Sequence, residues 1–412
     1  MSTETTAETA GCPLHFDHYD HALQDDPYPT YARMRDEAPL YHNEEHDFWV
    51  LSRHADLHKA FRTDDVFSNR MGVSLDPSSW NENAHLVTSF LGMDPPEQTR
   101  LRKLVSRGFT PKRVADLEPR IREISATYLD AAVARGSFDW IGDFAGKFPM
   151  DVISEMLGVP VADRDEVRTY ADLLVVREDG LRDVPPAGFE AAMWLFDYYA
   201  HLLADRKQHP GDDLVSALLA VSEEAGSEGG QRMTDQELTA FLFLMVVAGN
   251  ETTTKLLGNA VANICRHPDQ RASVFADVSL VEPWIEETLR YEASSQLLGR
   301  LTVKDFTVDG VTCPAGSKMM FNIGAANHDH EVFTDAEEFD IGRDKAELAK
   351  HLAFGGGRHY CLGANLARLE ANIALEQLVS RCSSIEVSGE PQRFYSANVR
   401  GYASLPVTVT PR

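Results

Sequence analysis

One cysteine of this chain lies in a segment whose neighbours could control its chemistry. The segment reads FGGGRHYCLG and surrounds Cys361 with four glycines, two basic side chains and two aromatic rings. A helix is predicted over residues 362–379, and the free N–H groups and dipole of its first turn favour a thiolate. The glycines allow close approach of a bulky flat group, Arg358 and His359 supply positive charge, and Phe354 can exclude water. These surroundings suit a thiolate nucleophile or metal ligand.

Three interpretations of Cys361 are open from the residues alone. It could be a buried structural cysteine in a glycine-rich loop. It could bind zinc, although no second cysteine or histidine stands at ligand spacing. It could also bind haem iron, which needs a thiolate, N–H donors, an apolar shield and partners for the haem carboxylates.

The spacing F-x-x-G-x-x-x-C-x-G around Cys361 resembles the haem-binding signature of the cytochrome P-450 superfamily, the haem-thiolate monooxygenases. The resemblance implies that Cys361 ligates the iron of haem b, with O2 as co-substrate. It also implies that Phe354, Gly355 and Gly363 shape the cofactor site and that His359 binds a haem propionate. A thiolate ligand pushes electron density towards iron and favours O–O cleavage.

A second motif lies inside a long helix predicted over residues 234–265, which a capping box opens. From the residues alone, its polar run could be a solvent-facing turn on a core helix. The run AGNETT resembles the oxygen-binding segment of the same superfamily. The resemblance implies that Ala248 and Gly249 form a groove for O2. It implies catalytic roles for Thr252, as a hydrogen-bond donor, and for Glu251, as a link to the proton supply from solvent.

The segment EETLR places Glu287 and Arg290 three residues apart, on one face of a predicted helix. Such a pair is often a surface ion pair that contributes only about a few tenths of a kcal/mol. The segment also resembles the Glu-x-x-Arg helix of the superfamily, in which a later arginine completes the cluster. Arg343 in EEFDIGR matches that arginine. The resemblance implies a structural role, holding the loop that carries Cys361.

The segment DPPEQTRLRK resembles a helix that holds haem propionates in bacterial members of the superfamily. Arg102 matches the arginine of that helix, but Gln98 stands where a histidine is usual. Glutamine donates a hydrogen bond and carries no charge, so one propionate would be held less firmly. Arg300 resembles a further propionate-binding arginine.

The same region carries six Lys or Arg residues within fourteen positions, in a chain whose formal net charge is -25. They could be an ordinary solvated helix face. The resemblance favours a positive patch for an acidic electron donor of the ferredoxin type, because local charge steers an oppositely charged partner. The patch is predicted around Lys103, Arg107, Lys112 and Arg113.

The resemblance also implies an apolar substrate pocket, because binding pockets are mostly apolar with few polar groups. The implied lining residues are largely aliphatic: Val246, Val247, Ala248, Leu297, Leu298 and Ala397. This favours hydroxylation of a terpenoid, steroid, fatty-acid-like or polyketide substrate over a small charged one.

Composition excludes several other classes of partner and site. The net charge of -25 disfavours nucleic acid and anionic membrane surfaces. No secretory leader and no apolar run of about 18 residues is found, so a soluble cytoplasmic protein is expected. The five cysteines are scattered and lack a CxxC pair, which disfavours a zinc or iron–sulfur module. Electrons would then come from separate proteins.

The elements that must position these residues are mainly helical. Strands are predicted at residues 40–43 and 48–51 and again between residues 300 and 323. The expected fold is mainly α with a small β portion from both ends of the chain. By resemblance it is the cytochrome P-450 fold, with a long central helix over the haem. We expect a partly disordered segment over residues 1–25 and one domain over residues 26–412.

Two alternatives to an O2-dependent monooxygenase follow from the same motifs. A peroxide-driven haem-thiolate peroxygenase would need no redox partner, but such enzymes usually lack the acid–alcohol pair that Glu251 and Thr252 provide here. A haem-based sensor or ligand carrier would keep Cys361 and the propionate partners without needing a proton relay.

Overall fold

The computed structural model describes residues 14–178, 180–227 and 230–412. Over these ranges the chain is mainly α-helical with a small β portion, which confirms the predicted fold class. Residues 1–13 of the predicted N-terminal segment lie outside the described residues. Residues 14–25 pack against the rest of the chain, and Phe16 is only 1% exposed. An aromatic side chain therefore anchors the first described residues of the chain to the core.

The described part of the chain has seventeen α-helices. They are α1 His21–Asp25, α2 Tyr28–Glu37, α3 His54–Ala60, α4 His85–Thr88, α5 Glu97–Val105, α6 Pro111–Asp116, α7 Glu118–Val133, α8 Phe148–Leu157, α9 Arg164–Val175, α10 Pro186–Gln208, α11 Leu214–Ser227, α12 Asp235–Arg266, α13 Pro268–Ala276, α14 Val281–Tyr291, α15 Ile323–Ala326, α16 Lys345–Leu348 and α17 Ala364–Arg381.

Twelve strands accompany these helices in the described ranges. They are β1 Leu40–Asn43, β2 Phe48–Leu51, β3 Phe67–Ser68, β4 Ser137–Asp139, β5 Leu297–Thr302, β6 Phe306–Val308, β7 Val311–Cys313, β8 Lys318–Asn322, β9 Cys382–Val387, β10 Gln392–Phe394, β11 Gly401–Ser404 and β12 Pro406–Pro411. The largest sheet has five strands in the order β1-β2-β8-β5-β3. Its parallel β2–β8 contact pairs Trp49 with Met319, so the sheet joins the strands predicted at residues 40–51 with those predicted between residues 300 and 323. The last strands of the chain, β9 to β12, lie in other sheets.

Helix α12 is the long helix predicted from the sequence. It begins with the expected capping box: Thr234 Oγ1 accepts from the Glu237 N–H at 3.2 Å, and Glu237 Oε2 accepts from the Thr234 N–H at 2.8 Å. It remains α-helical through residues 248–254 and stops just before Pro268. Capping and apolar content therefore outweigh the low helix propensity of its glycine and threonines.

The largest hydrophobic core surrounds α12, which packs against α8, α10, α14 and α17. Two buried indoles bond to its backbone: Trp140 Nε1 donates to Leu257 O and Trp284 Nε1 donates to Ala260 O, each at 3.0 Å. Side chains of two other elements thus fix the position of α12. Among the helices of the described ranges, none is both long enough and apolar enough to span a membrane.

Candidate functional site

The loop before α17 fixes Cys361 through its backbone. Gly357 has a φ of 62°, and a Cβ at this position would lie 1.9 Å from the backbone oxygen of Phe61. The left-handed conformation and the close approach both require glycine. At the end of the loop, the N–H of Cys361 donates to the Phe354 carbonyl at 3.0 Å. The position of the sulfur is therefore set by main-chain contacts.

Opposing effects act on the thiol of Cys361. Burial raises its pKa, whereas the N–H of Gly363, the guanidinium groups of Arg102 and Arg368, and the N–H of Ala364 lower it; the net shift is upward. A metal cation at the sulfur would reverse this balance, because coordinating thiols are deprotonated. A lone sulfur with N–H donors behind it and cations nearby fits a thiolate ligand of haem iron. In the described ranges, no group of three or more His, Cys, Asp or Glu side chains forms another metal site.

Cys361 faces a cavity of about 230 Å³, enclosed between its own loop and α12. Many of the predicted site residues line this cavity: Arg102, Ala248, Gly249, Thr252, Leu298, Arg300, Phe354, Gly355, His359, Cys361 and Gly363. The structure thus brings together residues from four segments far apart in the sequence. Apolar side chains of Phe90, Phe241, Leu244 and Met245 form much of the remaining wall.

Three basic side chains in this wall, those of Arg102, Arg300 and His359, form no ion pair with a carboxylate of the residues that the structure describes. The guanidinium of Arg102 donates to the backbone oxygen of Tyr360, and that of Arg300 donates to the Gly299 oxygen at 2.7 Å. Among the described residues, no carboxylate forms an ion pair with either. Nδ1 of His359 is buried and also lacks a hydrogen-bond partner there.

The pKa values of Arg300 and His359 reflect the same lack of negative charge nearby. Burial lowers the pKa of Arg300 to about 10, with Asp94 opposing the shift. Burial, together with the neighbouring Arg300 and Arg102, lowers the pKa of His359 to about 3. Burying an unpaired cation such as Arg300 is costly, so an anion bound between Arg300 and Arg102, beside His359, would stabilise the site. The donor set therefore fits the carboxylates of haem.

Four residues predicted to line the substrate pocket lie elsewhere, and these assignments are corrected. Val246 is buried in the core, and Val247 packs against the same core. Helix α12 presents residues 245, 248, 249 and 252 to the cavity, the spacing of one helix face. Leu297 and Ala397 line a different, smaller cavity. Because strand side chains alternate, Leu298 faces the main cavity and Leu297 the opposite side.

Gln98 also differs from its prediction as a cofactor-binding residue. Its side chain is buried, and Nε2 donates to the backbone oxygen of Arg358 at 3.0 Å. It does not line the cavity that contains Cys361. The amide supports the loop at the residue before His359, so its contact with the site is indirect.

The Glu251 carboxyl group and the Thr252 hydroxyl group lie on different sides of α12. Thr252 lines the cavity, and its Oγ1 donates to the Ala248 oxygen at 2.8 Å. Glu251 is buried outside the cavity, beside Lys255. Gly249 also lines the cavity, and a Cβ there would lie 2.9 Å from Ile153 Cδ1. Glycine at this position therefore permits close packing of α8 on α12.

The structure places Glu287, Arg290 and Arg343 together in a buried cluster. Both guanidinium contacts of Arg290 with Glu287 are short, 2.8 Å for Nε and 2.7 Å for Nη2, and Arg343 Nε lies 3.1 Å from Glu287. Arg290 Nη1 also donates to Asn327 O at 3.0 Å, and Asn327 Oδ1 accepts from the N–H of Leu352 at 2.7 Å. The cluster is thus connected to the segment that leads into the Cys361 loop.

The predicted docking patch is exposed. Lys103 lies on α5, Arg107 follows that helix, and Lys112 and Arg113 lie on α6. All four residues are exposed, although Arg107 pairs with Glu224 at 2.9 Å. The patch adjoins the cavity, since the residue before Lys103 is one of its lining cations.

Sequence reasoning missed Glu370, a buried carboxyl group in the cavity wall. Burial raises its pKa well above the usual value, and its Oε2 has no hydrogen-bond partner among the described residues. Its position was open to prediction, because Gly363, Leu366, Ala367 and Glu370 share one face of α17. Ser294 and Ser295 also line the cavity and were not assigned.

Comparison with known proteins gives a consistent result. A model of the family described as cytochrome P450 matches residues 188–283 and 271–398. The "Putative cytochrome P450 123" of Mycobacterium tuberculosis (strain ATCC 25618 / H37Rv) is 50% identical over 400 residues, covering 97% of this chain and 98% of that protein.

A second relative and a solved structure extend the comparison. The "Vitamin D(3) 25-hydroxylase" of Pseudonocardia autotrophica is 37% identical over 411 residues, covering 98% of each chain. The crystal structure of CYP109E1 from Bacillus megaterium in complex with testosterone superposes with a TM-score of 0.84 at 30% identity, covering 94% of this chain and 98% of that one.

Proposed function

Because this chain belongs to the cytochrome P450 family and is a monooxygenase, we propose that it hydroxylates an apolar, sterol-like substrate with electrons from a separate ferredoxin-type protein. The observation that carries this proposal is one cavity in which Cys361 lies opposite Gly249 and Thr252 of α12. The position of one thiol opposite one hydroxyl defines where substrate, oxygen and protons must meet.

The wall residues provide the binding contacts for haem b. Cys361 would be the iron ligand, while Arg102, Arg300 and His359 would hold the carboxylates. When bound, haem supplies the iron at which O2 is split, one atom entering the substrate and the other leaving as water after two electrons and two protons are delivered. The chain excludes water with the rings of Phe90 and Phe241.

Thr252 and Glu251 divide the proton-handling role on α12. The hydroxyl of Thr252 lies in the cavity wall, where it can donate a hydrogen bond to bound oxygen. Glu251 is the buried carboxyl group of the preceding residue, and its role is to link that hydroxyl to the proton supply from solvent. This acid–alcohol pair favours O2-dependent chemistry over the peroxygenase alternative.

The substrate class follows from the cavity wall and from the relatives. Apart from Ser294 and Ser295, the polar wall residues belong to the haem contacts, to α12 and to the single carboxyl of Glu370. An apolar wall binds terpenoid, steroid, fatty-acid-like or polyketide molecules. One relative is named a vitamin D(3) hydroxylase, and one similar structure contains testosterone. These favour a sterol-like substrate within the broader class.

The test of the haem site is spectroscopic. Reduced wild-type protein exposed to carbon monoxide should show the long-wavelength Soret band of thiolate-ligated haem, and Cys361→Ser should lose it. Cys265→Ser is the matched control, because the Cys265 thiol contacts Ile385 O, away from the cavity. A missing band in the wild type, or an unchanged band in Cys361→Ser, contradicts the proposal.

The reaction is tested with vitamin D3, testosterone and a long-chain fatty acid as probes. A sterol-like substrate should shift the Soret band of the haem-loaded protein more than the fatty acid does. Turnover with NADPH, a ferredoxin reductase and a ferredoxin under ¹⁸O2 should add one labelled oxygen atom to the product. Product formed only with peroxide would instead support the peroxygenase, and no product under either condition would support the sensor.

A further inference from the structure

One hydroxyl group in the wall of the Cys361 cavity lacks a hydrogen-bond partner among the described residues. Ser294 lines this cavity and is only 6% exposed. Its Oγ is buried, and no described donor or acceptor forms a hydrogen bond with it. A buried hydroxyl is destabilising when nothing bonds to it, so such a group needs a partner from a bound molecule. The Ser294 hydroxyl is therefore a candidate contact for a ligand of this cavity.

Buried serine hydroxyls without a partner also occur away from the cavity. Among the described residues, these are the hydroxyls of Ser52, Ser89, Ser125 and Ser154. None of the four residues lines the cavity that contains Cys361. Within this group of five serines, Ser294 alone therefore lies where a molecule bound in the cavity can reach it.

Two other polar atoms of the cavity wall lack partners in the described ranges, but each lies on the cofactor side. Nδ1 of His359 is beside the two cations that fit the haem carboxylates. Oε2 of Glu370 belongs to the face of α17 that begins next to Cys361. A substrate must bind on the opposite side, where Thr252 lines the cavity. Neither atom is therefore placed to bind the substrate.

Backbone contacts place Ser294 on the α12 side of the cavity. Nδ2 of Asn259 on α12 donates to the Glu292 oxygen at 2.9 Å and to the Arg400 oxygen at 3.1 Å. The N–H of Arg400 in turn donates to the Ser294 oxygen at 2.8 Å. Asn259 lies seven residues after Thr252 on the same helix face, about 10 Å along the axis. Ser294 is therefore held on the side where the substrate meets Thr252, but at a separate point.

The surroundings of Ser294 favour a ligand with few polar groups. Apart from Ser295, the lining residues that flank it in the sequence are Leu289 and Leu298. Ser295 is less buried, and its hydroxyl is not among the buried groups that lack a partner. A site that offers a hydrogen bond in an apolar wall discriminates strongly against the analogue that lacks the matching oxygen.

We infer that Ser294 is a specificity-determining residue, which forms a hydrogen bond with a hydroxyl or carbonyl oxygen of an otherwise apolar substrate. This oxygen is carried at a position other than the carbon that is oxidised, because Ser294 and Thr252 contact the substrate at separate points. The bond holds the substrate in one orientation, so Ser294 sets affinity and the position of oxidation. The inference narrows the substrate class of the proposed function and rests on that function.

The first experiment measures binding without turnover. Equilibrium dialysis of the holoenzyme compares testosterone with the two analogues that each lack one of its oxygen atoms, and decanol with decane. In the wild type, loss of the bonded oxygen should weaken binding about five- to tenfold, the net value of one hydrogen bond. In Ser294→Ala this preference should disappear, while the oxygen-free analogue binds as in the wild type, which shows that the cavity is intact. Ser125→Ala removes a buried, unpartnered hydroxyl outside the cavity and should keep the preference.

The second experiment tests the position of oxidation. With NADPH, reductase and ferredoxin, Ser294→Ala should raise the KM for testosterone about five- to tenfold and spread the product over more positions, because the substrate is no longer held in one orientation. The kcat should change by less than about twofold, since the residue makes no contact with the reacting oxygen. Ser125→Ala should give the product distribution of the wild type.

The outcomes separate this inference from the proposed function. A wild type that binds no oxygen-bearing probe more tightly than its analogue, or a Ser294→Ala variant that keeps the preference and the product distribution, overturns the role of Ser294 and leaves the monooxygenase function intact. Loss of the thiolate Soret band in the wild type overturns the monooxygenase function, and with it the role of Ser294 in specificity, even where dialysis still shows oxygen-dependent binding.

Discussion

The two walls of the cavity are built by different means. On one side, Cys361 lies on a loop whose shape depends on backbone contacts, above all where Gly357 meets the main chain of Phe61. On the other side, an uninterrupted α-helix presents Ala248, Gly249 and Thr252. The loop wall fixes the position of one atom, whereas the helix wall supplies side-chain chemistry on a backbone that other contacts already stabilise.

This difference between the loop wall and the helix wall predicts where substitutions should be tolerated. A change in the loop or its supports moves backbone and should lower both stability and thiolate ligation. A change of side chain on α12 should alter proton handling while the fold persists, because the helix is fixed by its cap and by two buried indoles. Substitutions in the loop wall should therefore lower stability, whereas substitutions on the helix wall should change the reaction.

The largest effect is expected at the support of the loop wall. Glu287→Gln should lower the free energy of unfolding by about 3–5 kcal/mol, because it leaves Arg290 and Arg343 buried without their shared carboxylate. Chemical denaturation measures the loss. Glu37→Gln removes a carboxylate from the exposed pair with Arg33 and is the control, with no measurable change expected. Equal effects of the two variants would contradict a supporting role for the cluster.

Within the loop itself, Gly357→Ala should cost about 3 kcal/mol or more, because left-handed strain adds to a clash with main chain. The fraction of haem that gives a thiolate-type carbon monoxide spectrum should fall in parallel. Gly136→Ala separates the two causes, since Gly136 has a φ of 72° and nothing within 4 Å of the added Cβ. That control should show strain alone, about 1 kcal/mol. If the two glycines tolerate alanine equally, backbone contact does not fix the loop.

On the helix wall, Thr252→Ala should change chemistry without a comparable loss of stability. The free energy of unfolding should shift by less than about 1 kcal/mol, because alanine's helix propensity offsets the lost bond to Ala248. A larger share of the consumed electrons should appear as peroxide instead of product. Thr252→Ser retains the hydroxyl and should stay coupled. Normal coupling in Thr252→Ala would remove this hydroxyl from the mechanism and weaken the contrast between the walls.

Local patterns in the sequence were sufficient for much of the fold. The predicted helix over residues 234–265 is observed as Asp235–Arg266, and the strands predicted at residues 40–43 and 48–51 have these bounds in the structure. Capping, apolar periodicity and turn residues act over a few positions, so one chain segment contains the whole signal. The segments around Cys361 and Thr252 line one cavity in the structure.

The predictions of pocket residues failed where the direction of a side chain determines which cavity it lines. Val246, Val247 and Ala248 are consecutive, and a helix of 3.6 residues per turn cannot aim all three at one cavity. The period of a strand shows that Leu297 and Leu298 face opposite sides, but not which side is which.

The smallest effect is expected outside both walls, at the positive patch beside the loop. Lys103→Glu and Arg113→Glu should each slow reduction of the haem by a ferredoxin about tenfold at low salt, because exposed charges steer an acidic partner, and the difference should vanish at high salt. Arg135→Glu changes the net charge equally, at the far end of α7, about 24 Å along the helix axis from α6. It should have little effect. If all three variants slow reduction equally, overall charge and not this patch guides the donor, and the loop wall then has no special role in receiving electrons.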